Sequence, residues 1–188
     1  MSLAWLPNAL SIARLLLAIP CAFALITGRY ELTLLLFGFA AVSDGLDGWL
    51  AKTFGWSSRA GKILDPIADK LLLVTAFVSL AWIALVPVWL AVTVVLRDVV
   101  IVGGAIAYRM LIGYVEGHPT PVSKLNTVLQ LVFVLVVVAA AAWRTVPSVL
   151  VTTFGAATFV TTVVSGLDYV LRYGRAALKA SRAPTRAP

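Results

Sequence analysis

The chain has 188 residues, of which 61% are hydrophobic and 12% charged, with a formal net charge of +7. That apolar share exceeds the roughly 45–50% of a soluble domain and, with a mean hydropathy of +1.00, predicts a one-domain polytopic membrane protein rather than a water-soluble fold. Cys21 is the single cysteine, which excludes a disulfide scaffold and a cysteine-rich zinc site.

In chain order, six apolar stretches of about 20 residues, the length that crosses about 30 Å of hydrocarbon, predict spans at about 8–27, 31–52, 61–84, 87–110, 123–143 and 147–171. Gly28-Arg29 closes the first, Gly55 to Gly61 separates the second and third, and Pro87 and Pro147 open the fourth and sixth. Gly117 to Pro121 interrupts the chain before the fifth. Residues 1–171 form the membrane domain, and residues 172–188 form a basic tail whose last stretch is expected to be disordered. No internal repeat is visible.

The positive charge tempts a nucleic-acid reading, but its distribution follows membrane topology. With both termini cytoplasmic, Lys52, Arg59, Lys62, Arg109, Lys124, Arg172, Arg175, Lys179, Arg182 and Arg186 lie inside, and only Arg29 and Arg144 lie outside. The expected fold is therefore all-α with six transmembrane helices and both termini cytoplasmic, and no nucleic acid is expected as a partner. Arg14 interrupts the first apolar stretch and Pro20 precedes Cys21, so this stretch reads as a span and not a signal peptide. No Arg-rich, Ser-rich leader opens the chain, which points to a bacterial plasma membrane.

Four of the eight acidic residues, Asp44, Asp47, Asp65 and Asp69, lie in or beside the second and third stretches. A carboxylate in a span costs at least about 2.5–3.5 kcal/mol, and four together repel, so a counter-charge is required. Asp44 and Asp47 are spaced i, i+3 and Asp65 and Asp69 i, i+4, so each pair shares a helix face. The two helices are consecutive and antiparallel, which lets all four converge near the cytoplasmic surface. Hard oxygen ligands at this density suit Mg²⁺, Mn²⁺ or Ca²⁺ rather than Zn²⁺. Gly45, Gly48, Ala51 and Gly61 beside them serve either close helix packing or ligand access.

Asp44, Asp47, Gly48, Ala51, Lys52, Gly61, Asp65 and Asp69 together resemble the signature of the CDP-alcohol phosphatidyltransferases, eight positions at fixed spacing over 26 residues. The resemblance implies a six-helix homodimer that moves a phosphatidyl group from a CDP-lipid to an alcohol and releases CMP. It further implies that Asp44, Asp47 and Asp65 bind metal, with Asp69 at the same metal site acting as the general base on the acceptor hydroxyl. Gly48, Ala51 and Gly61 would flank the cytidine and diphosphate, with Asn8 and Arg14 of the opening L-P-N-A-L-S-I-A-R also on the CDP-lipid side. Lys52 departs from the family's usual Arg and lacks its bidentate fork.

The segments V-L-R-D-V-V-I and S-K-L-N-T resemble the branch of CDP-diacylglycerol-dependent cardiolipin synthases, with phosphatidylglycerol as acceptor. The alternative branch makes phosphatidylglycerol phosphate from glycerol 3-phosphate, and a cation-coupled transporter is the distant alternative. Arg97, Lys124 and Asn126 are the expected acceptor-phosphate residues. For Arg97 the competing reading is an ion pair with Asp98, and for Lys124 a positive-inside anchor. His118 reads as solvated, Lys70 as pairing with Asp69 or snorkelling, and Asp168 as pairing with Arg172 at i, i+4. Trp5, Trp82, Trp89 and Trp143 fall where interfacial belts are expected.

Overall fold

The computed structural model describes residues 6–54, 61–111 and 120–182. Six helices account for nearly all of them: α1 Leu6–Ile26, α2 Tyr30–Phe54, α3 Gly61–Trp82, α4 Val88–Leu111, α5 Pro121–Trp143 and α6 Ser148–Arg182. No strand occurs among the described residues. Four helices are long and apolar enough to cross a membrane on the described residues alone, over Ala9–Ile26, Val88–Ile106, Pro121–Trp143 and Ser148–Arg172. Helix α2 contributes a shorter apolar stretch, Tyr30–Ser43, before its acidic pair, and α3 carries its acids in its first half. The protein is an all-helical polytopic membrane protein.

Local chemistry sets the helix ends. After α1, the Gly28 amide bonds to Leu25 and the Arg29 amide to Ala24, at 3.1 and 2.8 Å, a Schellman closure that needs the positive φ of +73° at Gly28. The same pair of bonds ends α3, from Ala84 to Ala81 and from Leu85 to Leu80, but here an alanine takes the left-handed position at φ 57°. Helix α5 begins with Thr120 as N-cap, its hydroxyl accepting from the Ser123 amide at 3.2 Å, and Pro121 in the first turn. The apolar span of helix α6, Ser148–Arg172, agrees with the expected 147–171. The helix itself continues to Arg182, because R-Y-G-R-A-A-L-K-A-S-R is rich in strong helix formers and Gly174 alone does not stop it.

Helix α3 packs on α1, α4 and α5, α1 also on α2, α2 on α5, and α6 on α4 and α5. Ala18, Cys21 and Ala24 of α1 and Ala76 of α3 are buried, and such small side chains let these helices approach closely. The apolar core continues through Phe37, Leu72, Phe77, Leu80, Val94, Phe133 and Val137, with the Phe77 and Phe133 rings 6.0 Å apart. Helix α6 is different: Thr158, Thr162 and Ser165 are its fully buried residues, and its seam against α5 is polar. Asn126 Oδ1 accepts from Thr161 and Thr162 at 2.9 Å each, and the Thr158 hydroxyl donates to the Leu129 carbonyl at 3.3 Å. Lipid is as apolar as leucine, so helices in a bilayer associate through such bonds and close packing. Trp82 and Trp143 end α3 and α5, and Trp89 lies in the first turn of α4, all three exposed; Trp5 and His118 lie outside the described residues.

Candidate active site

The four acidic residues fall on the helices their spacing predicts, Asp44 and Asp47 on α2, Asp65 and Asp69 on α3. Gly48, Ala51 and Lys52 share α2 with the first pair, and Gly61 is the first residue of α3. The side chains of Asn8, Asp44, Asp47, Lys52 and Asp65 lie outside the described set, so Asp69 is the one carboxylate of the four whose surroundings are seen. It lines a small cavity of about 80 Å³ with Arg14, Ala40, Ala41, Leu72, Leu73, Thr127 and Leu131. Ala40 and Ala41 stand one turn before Asp44 on α2, and Asp65 stands one turn before Asp69 on α3. Both helices run from this cavity toward the segment that joins them, so the register carries the two pairs in the same direction. Among the described residues α2 and α3 do not pack directly; α1 and α5 pack against both.

Arg14, on α1, donates from Nη1 to Asp69 Oδ1, and its side chain is 1% exposed against 35% for Asp69. A guanidinium buried that completely requires a counter-charge. Tight α1–α3 packing brings one within reach. The arrangement seats Arg14 behind Asp69 and leaves the carboxylate facing the more open side.

A second charged cluster joins four helices. Lys70, on α3, donates to Asp98 Oδ1 on α4 at 2.6 Å, and Arg97 Nη1 donates to the same oxygen at 2.6 Å. Arg97 Nη2 reaches Ser123 Oγ on α5 at 2.6 Å and Ser165 Oγ on α6 at 2.5 Å. The Arg97–Asp98 pair thus forms although adjacent residues leave a helix in different directions, because the long arginine chain folds back. Lys70 hydrogen-bonds across to Asp98, and its neighbour Asp69 adds a further electrostatic attraction. Lys124 is exposed in the first turn of α5, one residue from Ser123. Asn126 is fully buried and its Oδ1 is taken by Thr161 and Thr162 of α6, one turn from the Ser165 that meets Arg97. The ion pair with Asp98 is the competing reading of Arg97 made from the sequence, and Ser123 entered only as part of S-K-L-N-T; Ser165 escaped sequence reasoning, its signal being a small polar residue inside an apolar helix. The expected Asp168–Arg172 pair is present at 2.7 Å.

Comparison with known proteins gives the class. Residues 4–171 match the family described as CDP-alcohol phosphatidyltransferase, and the chain belongs to that family. It is 32% identical over 184 residues to the "Probable cardiolipin synthase (CMP-forming)" of Drosophila melanogaster, covering 88% of this chain and 56% of that protein. To the human "Cardiolipin synthase (CMP-forming)" it is 31% identical over 186 residues, 90% of this chain and 62% of that one. A "Probable phosphatidylglycerophosphate synthase" of Mycobacterium tuberculosis is 32% identical over 141 residues, 73% and 63% respectively. The chain therefore spans about three fifths of the length of these relatives.

Proposed function

We propose that the chain transfers a phosphatidyl group from CDP-diacylglycerol to phosphatidylglycerol, giving cardiolipin and CMP. The observation that carries this reading is the Asp44-to-Asp69 signature, with Asp69 held on α3 by Arg14 beside the Lys70–Asp98–Arg97 cluster. Asp69 accepts the proton of the acceptor hydroxyl, whose oxygen then forms a bond to the phosphatidyl phosphorus as the bond to CMP breaks. Asp44, Asp47, Asp65 and Asp69, an all-oxygen set carried toward one end by the register of α2 and α3, fit Mg²⁺ or Mn²⁺, with Ca²⁺ as a possible stand-in. Such an ion, when bound, supplies neutralisation of the diphosphate and of the departing CMP. Gly48, Ala51, Lys52, Gly61, Asn8 and Arg14 belong to the CDP-lipid side, with Arg14 acting through Asp69. Arg97, Lys124 and Asn126 belong to the acceptor side, with Asn126 also bonding α5 to α6.

The ten-to-two bias of Lys and Arg supports both termini and the Asp cluster at the cytoplasmic face of a bacterial plasma membrane. A homodimer follows from the resemblance and is checked by light scattering of the purified protein. The test of function offers purified protein CDP-diacylglycerol and Mg²⁺ with phosphatidylglycerol or glycerol 3-phosphate separately. Cardiolipin from the first confirms the acceptor; product from glycerol 3-phosphate alone moves the chain to the phosphatidylglycerophosphate branch, which the Mycobacterium relative's name favours. Asp69→Asn should abolish turnover while CDP-lipid binding persists, and near-normal turnover would remove its role as base. The transporter alternative has no observation on its side.

A further inference from the structure

We propose that Asp98 is the positioning residue of an anion site that takes the acceptor's phosphate on Lys70 and Arg97. The inference rests on the acceptor reading above and deepens it, because neither Asp98 nor Lys70 is assigned there. Asp98 stands in the apolar run V-L-R-D-V-V-I, and its side chain is 7% exposed, a place where an acid needs a purpose and a partner. Its Oδ1 accepts from Lys70 Nζ and from Arg97 Nη1 at 2.6 Å each, so these two nitrogens stand no more than 5.2 Å apart (twice 2.6 Å). One carboxylate thus holds two cations from different helices side by side.

Within its own hydrogen bonds the cluster sets two positive charges against one negative, and Asp69, which also attracts Lys70, is itself paired with Arg14. The remaining contacts of Arg97, to Ser123 and Ser165, are neutral hydroxyls and do not balance it. Poorly solvated surroundings make the surplus charge costly until an anion arrives. Two polar atoms are also left open: Asp98 Oδ2, an acceptor, and Arg97 Nε, a donor, are buried and take no hydrogen bond from the described residues. A ligand that completes the site offers an anionic oxygen and a hydroxyl together, which phosphate esters of glycerol do. Entry is from the Lys70 side, which is 32% exposed while Arg97 is 4% exposed. Lys70 directly follows Asp69, so a phosphate held here places a hydroxyl on the same glycerol unit toward the proposed base. The shared chemistry is a phosphate ester one glycerol unit away from the reacting hydroxyl, and it fits a free glycerol phosphate or a lipid headgroup.

The test uses the full chain in detergent–lipid micelles, with steady-state kinetics on phosphatidylglycerol and on glycerol 3-phosphate at saturating CDP-diacylglycerol. Wild type is measured first: turnover of neither compound overturns the acceptor reading, and this inference with it. Where wild type is active, Lys70→Gln and Asp98→Asn should each raise the acceptor KM about tenfold or more, since each weakens a charge-assisted contact. The KM for CDP-diacylglycerol should move less than about threefold on the same scale. Lys70→Arg should recover most of the acceptor affinity, and Asp98→Asn should add less in the Lys70→Gln background than alone. A structural role would instead lower kcat for both acceptors alike with acceptor KM unchanged, which overturns the proposal while leaving the acceptor reading intact. Lys70 lies at the open edge of the cluster, so Lys70→Gln decides the matter even if Asp98→Asn does not fold.

Discussion

The Arg14–Asp69 pair is asymmetric, and the asymmetry has a measurable consequence. Arg14 is 1% exposed and Asp69 35%, so the two deletions disturb charges in very different surroundings. Asp69→Asn takes a charged partner from a guanidinium that is 1% exposed, and breaking a buried pair costs about 3–5 kcal/mol. Arg14→Met keeps the long apolar stem and leaves a carboxylate that water reaches, which costs about 1 kcal/mol. For a chain of this size each kcal/mol shifts Tm by about 2–4 °C, so Asp69→Asn should lower Tm by about 6–20 °C and Arg14→Met by about 2–4 °C. The double variant removes both charges, and its Tm should rise above that of Asp69→Asn alone, because the buried guanidinium is then replaced by an apolar side chain.

The assay is intrinsic tryptophan fluorescence during heating in detergent, using the six native tryptophans. EDTA is present throughout, so that a metal held by Asp69 does not enter the comparison. All variants are compared at one scan rate, because thermal melts of this kind are commonly irreversible. Equal losses for the two single variants, or a double variant whose loss is their sum, would refute the reasoning.

Four further outcomes are expected. Asp47→Asn should raise the Mg²⁺ concentration for half-maximal turnover at least about tenfold, equivalent to about 1.4 kcal/mol, and an unchanged metal titration would count against its place at the metal. Ala84→Gly should stabilise the protein by about 0.5–1 kcal/mol, since alanine at φ 57° carries strain that glycine lacks; a lower Tm would contradict this. Gly155→Leu should destabilise by about 1–3 kcal/mol, because a Cβ at this position already stands 3.1 Å from Phe133 Cε2. Gly103→Leu, with nothing within 4 Å of its Cβ position, should be neutral in the same melt.

The helices were legible because lipid imposes a length and glycine and proline punctuate the chain. Expected ends such as 61, 110 and 143 fall within two residues of those observed, and the closure at Gly28 follows from its own backbone freedom. The apolar span of α6 ends where the charges begin, but its helix does not, because alanine, leucine, lysine and arginine are strong helix formers whether or not they are buried. Pairings between distant residues stayed out of reach. Arg14 and Asp69 are 55 residues apart, and Lys70 and Asp98 are 28 apart; only the packing of α1 and α4 against α3 chooses those partners. The spacing of the aspartates locates the carboxylates without saying which cation answers each one.

The fold and the proposed acceptor side are held by the same hydroxyls. Among the described residues of helix α6 the fully buried side chains are Thr158, Thr162 and Ser165, and with Thr161 they bond it to its neighbours, while Val151 and Phe154 pack on the apolar core. Ser165 reaches Arg97, and Ser123 meets that same arginine from α5. Arg97 then shares an oxygen of Asp98 with Lys70, the neighbour of Asp69. A helix that slides along the polar seam therefore loses its bond to Arg97, and the cation beside the proposed base is released with it. In water such a seam would compete with solvent; in lipid the bonds have no rival, so a few hydroxyls suffice both to dock a 35-residue helix and to aim an arginine.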